Sequence, residues 1–125
     1  MNHAKELGSA GETAAAAFLR DMGVHIIMRN YRCRQGEIDI IGRHFDGGVR
    51  YLVAFEVKTG RSDRPAAAVT ASKQYKICRT MDHFRYRYGI GEDSAVRFDV
   101  IEMDEKLRCR WIKDAFDYVQ IRRRR

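Results

Sequence analysis

The sequence has little of what marks disordered, exported or membrane-spanning chains. It contains one proline, and 45% of its 125 residues are hydrophobic, a composition typical of a folded domain. It has no unbroken apolar run of about 18 residues and no signal-peptide pattern. We therefore expect a folded cytoplasmic protein that has no membrane as a partner.

Cysteine and histidine patterns that bind zinc or build a disulfide framework are also missing. The three cysteines include no C-x-x-C pair, and the four histidines lack the spacing of zinc ligands. We expect reduced thiols and ordinary imidazoles. The cysteines are Cys33, Cys78 and Cys109, and the histidines are His3, His25, His44 and His83.

The chain is basic, with a net charge of +7 and a pI near 9.6, which favours a polyanionic partner. This signal is weakened by the terminal run Arg122 to Arg125, because the rest of the chain carries only +3. A length of 125 residues and the absence of repeats predict a single domain. We assign residues 1–8 to a loose leader, residues 9–121 to the domain and residues 122–125 to a basic tail.

Two apolar runs carry charged residues at their centres. The first is Gly36–Ile41, the second is Leu52–Lys58, and Gly47-Gly48 lies between them. Branched and aromatic side chains in short runs bounded by glycine predict two buried β-strands joined by a hairpin. Charges inside such strands are costly unless other groups pair with them.

A hairpin that is symmetric about Gly47-Gly48 would pair residues whose numbers add up to 95. Asp39 would then lie opposite Glu56, and Glu37 opposite Lys58, with all four side chains on one face. A β-bulge would shift this register. The residues that alternate with them, and that we expect in the core, are Ile38, Ile40, Phe55 and Val57.

Two carboxylates about 5 Å apart repel each other in an apolar setting, and a shared divalent cation relieves the repulsion. Mg²⁺ or Mn²⁺ held by Asp39 and Glu56 would activate a water against a phosphodiester, and Lys58 would orient that water and stabilise the developing charge. The alternative is a structural ion-pair network, with Glu37 paired to Lys58, that carries no chemistry.

These motifs, G-E-I-D-I-I followed by F-E-V-K, resemble the D…E-x-K pattern of the restriction-endonuclease-like nucleases. The chain is most similar to the YraN-type family of small bacterial proteins, which resemble Holliday-junction resolvases. The likeness covers roughly residues 10 to 116. Its other matching segments are Glu12 with Ala15, Phe18 and Leu19, then Arg29–Arg32, Val69-Thr70, Ser72–Gln74, Arg97–Val100 and Trp111–Phe116.

Glu12 has two interpretations. A helix is predicted from Ser9 to about Gly23, and S-x-x-E at its start is a capping box, in which Glu12 would bond to the backbone amide of Ser9. The resemblance instead implies that Glu12 joins the metal site, because related nucleases carry a first-helix glutamate at this place.

A second helix is predicted from Ala67 or Ala71 to Tyr88, with a buried stripe at helical spacing. The stripe consists of Ile77, Met81, Phe84 and Tyr88. The resemblance implies a further polar site residue in its first turn, which nominates Lys73 and Gln74. The alternative for Lys73 is a surface lysine whose stem covers apolar side chains.

Nucleic-acid contacts are predicted at basic positions around these elements, since arginine and lysine grip phosphates. A short strand at 24–27 leads into a polar connector at 29–34 that carries Arg32 and Arg34. Arg61 lies in the loop 59–65 and Lys76 on the second helix. The connector is equally well interpreted as a solvated connection, Arg61 is the preferred contact in its loop, and Lys76 counts only if its helix face adjoins the metal site.

The remaining pattern predicts a strand at 95–101, in which Arg97 and Asp99 are structural, and an edge strand at 107–112 whose Arg108 and Arg110 face solvent. The order helix, strand, hairpin, helix, strand, strand implies an α/β fold with a mixed sheet. The resemblance implies a restriction-endonuclease-like three-layer α/β/α sandwich.

We therefore expect a metal-dependent nuclease that hydrolyses phosphodiester bonds of nucleic acid, with DNA, branched or linear, as the expected substrate. The resemblance to junction-cutting nucleases also implies a homodimer. One alternative is a nucleic-acid-binding module on the same fold without turnover. Another is an interaction protein whose charged network is purely structural.

Overall fold

The computed structural model describes residues 3–61 and 68–119, with side chains from residue 9 onward. Most of the loop 59–65 and the basic tail 122–125 lie outside the described residues. The elements within them are α1 His3–Asp21, β1 His25–Cys33, β2 Gly36–Asp46, β3 Val49–Thr59, α2 Ala71–Arg87, β4 Val96–Met103 and β5 Cys109–Phe116. None of the described helices is long and apolar enough to cross a membrane.

The described strands form one mixed sheet in the order β1-β2-β3-β4-β5. Neighbouring strands are antiparallel except β3 and β4, which are parallel and are connected through α2, as parallel strands require a crossover. The two helices cover opposite faces. This is the predicted three-layer α/β/α sandwich, consistent with a restriction-endonuclease-like fold.

The core has two parts, separated by the sheet. Helix α1 buries Ala15, Ala16 and Leu19 against one face, and α2 buries Ile77, Met81 and Phe84 against the other. The sheet residues under α1 are Ile40, Val53, Phe55, Ile101 and Met103, and those under α2 include Ile38, Ile41, Leu52, Ala54 and Phe98. We call these two parts the α1-side core and the α2-side core.

Helix α1 begins earlier than the sequence predicted. It starts at His3, within the residues assigned to a leader, so that Ser9 lies inside the helix. Only the residue that flanks the first turn can cap it. The capping-box interpretation of Glu12 is therefore wrong.

Strand β1 is longer than predicted, because it extends through Cys33 and includes all of the run assigned to a polar connector except Arg34. Tyr31 is 4% exposed, and its ring packs edge-on against Phe84 with centroids 5.2 Å apart. Backbone pairing to β2 and this one buried aromatic outweigh the polar composition of the run.

Two other ends differ from the prediction. Tyr88 caps the C-terminus of α2 and is 48% exposed, so the buried stripe of α2 ends at Phe84. Strand β5 covers Cys109–Phe116 rather than 107–112, because Phe116 stacks on Phe98 of the α2-side core with ring centroids 5.2 Å apart.

A buried charged network fixes β4 and β5 to the β2–β3 hairpin. Asp99 has no exposed surface and accepts bonds from Arg97 at 2.8 to 3.1 Å, from Trp111 Nε1 at 2.8 Å and from the Asp114 amide at 2.9 Å. Arg97 also contacts His44 Nδ1 at 2.9 Å. These contacts support the prediction that Arg97 and Asp99 are structural.

We expect Asp99→Ala to lower the free energy of unfolding by about 3–5 kcal/mol, because the buried Arg97 loses its closest charged partner and keeps only the more exposed Asp46 at 3.5 Å. Urea unfolding followed by circular dichroism measures the change. The matched control is Asp117→Ala, which removes an exposed carboxylate and should stay within about 0.5 kcal/mol of wild type. Equal stability of the two variants would contradict a structural role of Asp99.

Candidate active site

Strands β2 and β3 separate at the residues predicted to form the site. Their register runs from Asp46–Val49 to Ile40–Phe55, and every pair adds up to 95, as predicted. Beyond Ile40, β2 stays in register with β1 as far as Gly36, and beyond Phe55, β3 stays in register with β4 as far as Thr59. We call this split, formed by residues 37–39 of β2 and 56–58 of β3, the fork.

Asp39 bridges the fork with its side chain. Its Oδ2 accepts a hydrogen bond of 2.8 Å from the backbone amide of Val57. The expected ladder pair between Asp39 and Glu56 is therefore replaced by a contact between a side chain and the neighbouring strand's backbone. This contact fixes the Asp39 carboxylate beside β3.

The alternation of side chains breaks at the same place. Ile40 lies in the α1-side core as expected, but Ile38 lies in the α2-side core with Ile41, so its predicted face is wrong. On β1, the residue between the pairs Arg29–Ile40 and Tyr31–Ile38 is Asn30, whose φ is 55°. Asparagine tolerates this left-handed conformation better than most residues, and the kink re-aims the side chains on both strands.

Glu12 faces the fork from α1. We oriented the side-chain amide of Asn30 so that its nitrogen faces Glu12. In this orientation it donates to the two Glu12 carboxylate oxygens at 2.8 and 3.1 Å. Glu12 and Asp39 line a cavity of about 580 Å³, which we call the acidic cavity; its other lining residues are Ser9, Gly11, Asn30, Arg32, Glu37, Val57 and Thr59. Asn30 is a site residue that the sequence analysis missed.

Glu56 faces the fork from β3 and is 6% exposed. Lys73 Nζ lies 2.6 Å from Glu56 Oε1, so α2 places an ammonium against this buried carboxylate. The hydrogen bond to Glu56, followed by the charges of Glu56 and Asp39, raises the pKa of Lys73 although its partial burial opposes this. Lys73 is thus an ion-pair partner of Glu56, and the site role that the resemblance implied for it stays a prediction.

The three carboxylates repel one another at the fork. Burial, followed by the charge of Glu56, raises the pKa of Asp39 to about 7, and Glu12 contributes in the same direction. The hydrogen bond from the Val57 amide and the charge of Lys73 oppose this shift without cancelling it. A negative charge on Asp39 is therefore unfavourable at neutral pH unless a cation compensates it.

Lys58 does not line the acidic cavity. It lines a separate cavity of about 250 Å³ together with Val69, Gln74 and Glu102, and its backbone is in register with Glu102 of β4. Gln74 donates to the Val69 carbonyl at 2.9 Å. The other lysine predicted for the site, Lys73, contacts Glu56.

The predicted nucleic-acid contacts lie around the fork. Arg32 lines the acidic cavity and pairs with Glu37 at 3.0 Å, while Lys76 lines a cavity of about 300 Å³ with Glu37 and Lys73. Arg34 is exposed in the turn between β1 and β2. Arg61 is exposed after β3 and borders another cavity.

The chemistry of these donors fits a hard divalent cation. Carboxylate oxygens are the ligands that Mg²⁺ and Mn²⁺ prefer, and a cation would relieve the repulsion that raises the pKa of Asp39. Within the described part of the chain, no three acidic, histidine or cysteine side chains already surround one point. Glu56 would have to exchange its contact with Lys73 for the metal.

The fold and the site together define a small α/β sandwich with a cluster of carboxylates at a split in its sheet. Residues 11–103 match the family described as "Uncharacterised protein family UPF0102". The chain belongs to this family, and the predicted membership of the YraN type is confirmed.

Similar proteins in three bacteria match over most of their length. A UPF0102 protein of Symbiobacterium thermophilum is 48% identical over 119 residues, covering 90% of this chain and 97% of the relative. UPF0102 proteins of Nitrosomonas europaea and Legionella pneumophila are 40% and 38% identical, covering 94% and 90% of this chain and 98% and 96% of the relatives. These matches establish the family, and the activity has to be argued from the site.

We expect Asp39→Asn to stabilise the metal-free protein at alkaline pH. The raised pKa of about 7 means that folded protein keeps a proton that the unfolded chain has lost, so the stability that Asp39 contributes is full below about pH 4 and is lost as pH rises through 7. Asparagine is neutral and still accepts from Val57. The variant should therefore gain roughly 2–4 kcal/mol at pH 8, and less towards pH 4.

Urea unfolding in EDTA between pH 4 and pH 8 measures this difference. The control is Asp46→Asn, because Lys113 at 3.2 Å lowers the pKa of Asp46. Its folded-state pKa is depressed, so the control should lose stability at pH 8 and approach wild type in acid. An Asp39→Asn variant that is less stable than wild type at pH 8 would contradict the charge repulsion at the fork.

Proposed function

We propose that this protein is a metal-dependent nuclease that hydrolyses phosphodiester bonds of nucleic acid, with DNA as the expected substrate. The observation that carries the proposal is the placement of Asp39 and Glu12 around an open cavity, with the buried Glu56 beside them on β3; the raised pKa of Asp39 supports it. Titratable groups perturbed by burial and by specific neighbours are typical of catalytic sites. In contrast, the negative charge of the buried Asp99 is compensated by hydrogen bonds from Arg97, Trp111 and the Asp114 amide.

Each residue receives a role from its position. Asp39 and Glu56 would hold Mg²⁺ or Mn²⁺, and Glu12 would hold the metal or a water on it. The bound cation would lower the pKa of a water and offset negative charge on the phosphate. Lys73, released from Glu56, would place its ammonium near the oxyanion that develops as water attacks phosphorus and the P–O bond to the leaving group breaks.

Lys58 keeps the role of orienting the attacking water in this proposal, from the α2 side of β3. Arg32, Arg34, Arg61, Gln74 and Lys76 would contact the nucleic-acid backbone around the fork. The cytoplasmic location and the homodimer remain predictions from the sequence.

One observation favours a second candidate function. The ion pair of 2.6 Å between Lys73 and Glu56 neutralises one of the two main ligands. A nucleic-acid-binding module that never loads a metal would keep this pair closed. The two functions differ in whether Mn²⁺ competes with Lys73 for the Glu56 carboxylate.

We expect wild-type protein to bind Mn²⁺ in isothermal titration and Asp39→Asn to bind it at least tenfold more weakly. Lys73→Ala should bind Mn²⁺ as tightly as wild type or more tightly, because Glu56 no longer has to leave an ammonium. Arg50→Ala, an exposed arginine on the β2–β3 hairpin, is the control. Absence of Mn²⁺ binding by the wild type would remove the metal site.

Turnover separates the enzyme from the binding module. With Mg²⁺ or Mn²⁺, wild type should nick plasmid, single-stranded or branched DNA, and Glu56→Gln and Lys73→Ala should lower kcat by about 100-fold or more. Gel electrophoresis of end-labelled DNA measures the products. Lys73→Ala that binds metal normally and cuts at the wild-type rate would overturn the role of Lys73, and wild type that binds DNA without cutting any form would support the binding module.

A further inference from the structure

Three arginines surround a second cavity at the same end of the sheet as the acidic cavity. This cavity measures about 310 Å³ and is lined by Arg61 after β3, by Arg108 before β5 and by Arg110 within β5. Its other lining residues are Gly60, Glu102, Met103, Asp104 and Cys109. We call Arg61, Arg108 and Arg110 the arginine group.

The arginine group adjoins the acidic cavity. Thr59 lines the acidic cavity and the next residue, Gly60, lines the cavity of the arginine group, so both cavities lie at the C-terminal end of β3. The Gly60 amide donates to the Met103 carbonyl at 2.7 Å, which ties the end of β3 to the end of β4. Met103 also lies against Gly11 of the acidic cavity, 3.6 Å from where a side chain there would begin.

The turn between β4 and β5 fixes the orientation of Arg108. Asp104 accepts from the backbone amides of Lys106 and Arg108 at 2.9 and 3.0 Å and from Arg108 Nε at 2.8 Å. Three donors to one carboxylate compensate its charge within the turn. Arg108 is held through Nε while 65% of its side chain is exposed, so its guanidinium is positioned in advance and still open to a ligand.

Arg110 is less engaged. Its Nη1 lies 4.0 Å from Glu102 Oε1, and 72% of its side chain is exposed. An exposed ion pair at this distance contributes little, and a phosphate would compete with it successfully because guanidinium groups bind phosphate through two parallel hydrogen bonds. Of the two carboxylates that line this cavity, Asp104 is satisfied by the turn and Glu102 is only loosely paired with Arg110.

We propose that the arginine group binds the phosphate that flanks the cleaved bond on one side, and so positions the nucleic-acid strand across the acidic cavity. This inference rests on the proposed function, because it assumes that the strand is a ligand. It assigns binding roles to Arg108 and Arg110, which the sequence predicted only as solvent-facing positions of an edge strand.

The test compares Arg108→Gln/Arg110→Gln with the matched double variant Arg43→Gln/Arg50→Gln. Both remove two positive charges, but Arg43 and Arg50 lie on the β2–β3 hairpin, away from the fork, and the basic tail is unchanged in both. Fluorescence anisotropy with labelled single-stranded DNA in EDTA measures affinity without cleavage. The Arg108/Arg110 variant should bind about tenfold or more weakly, with a salt slope reduced by about 1.4, and the hairpin variant should change much less.

Cleavage kinetics add a second measurement. Removing a flanking contact should raise KM and leave kcat within about twofold on long DNA, because that contact binds ground state and transition state alike. Equal losses of affinity in the two double variants would overturn the subsite, since net charge alone would then explain the binding. Unchanged thermal melting and unchanged Mn²⁺ binding of Arg108→Gln/Arg110→Gln show that fold and metal site are intact.

The outcomes separate this inference from the proposed function. Wild type that binds DNA through Arg108 and Arg110 but never cuts it refutes the nuclease and keeps the phosphate subsite. Wild type that cuts, with KM and affinity unaffected in Arg108→Gln/Arg110→Gln, keeps the nuclease and refutes the subsite.

Discussion

The site depends on one hydrogen bond, from the Val57 amide to the Asp39 carboxylate, 2.8 Å long. Beyond the pair Ile40–Phe55, β2 follows β1 and β3 follows β4, and a split in a sheet leaves backbone groups that need partners. The Asp39 side chain takes the place of a ladder carbonyl. The same bond holds the carboxylate in a partly buried position near Glu56, where its charge is costly. Sheet geometry and site chemistry therefore have a common origin.

Two buried acidic centres in this sheet illustrate what makes a charge structural. Asp99 is fully buried, but Arg97, Trp111 and the Asp114 amide supply donors to it. Asp39 has the Val57 amide as a donor and two carboxylates as neighbours. A fully compensated network stabilises the fold, whereas an undercompensated one is retained at a cost and fits a ligand that brings the missing charge. This contrast, rather than burial alone, distinguishes Asp39 from Asp99 and supports the fork as the proposed metal site.

Counting residues across the glycine turn was enough to predict the hairpin register, because side-chain alternation and one turn fix it. The same residue count did not predict the arrangement of side chains at the fork. The α2-side position of Ile38 and the left-handed Asn30 arise from the way β1 and β2 bend together, which no local period encodes. The contact of Lys73 with Glu56 depends on how α2 packs across the sheet, so the spacing of F-E-V-K pointed to Lys58 first. An asparagine within a strand that is otherwise partly apolar was the one available signal for Asn30.

The sandwich brings opposite charges to the fork from its two outer layers. Helix α1 contributes Glu12 to the acidic cavity, and α2 contributes Lys73 to Glu56. Neither helix reaches the other's face, so a catalytic set of this kind requires the sheet to open between them, as it does where β2 and β3 part. On the β4–β5 side of that opening lie Arg61, Arg108 and Arg110, and on the α2 side lie Lys73 and Lys76. A polyanion laid across the opening would therefore meet positive charge on both sides of the carboxylates. Its own negative charge would be tolerated over the carboxylates only where a cation lies between them. The layout thus couples strand binding to metal binding, since each supplies the charge that the other needs.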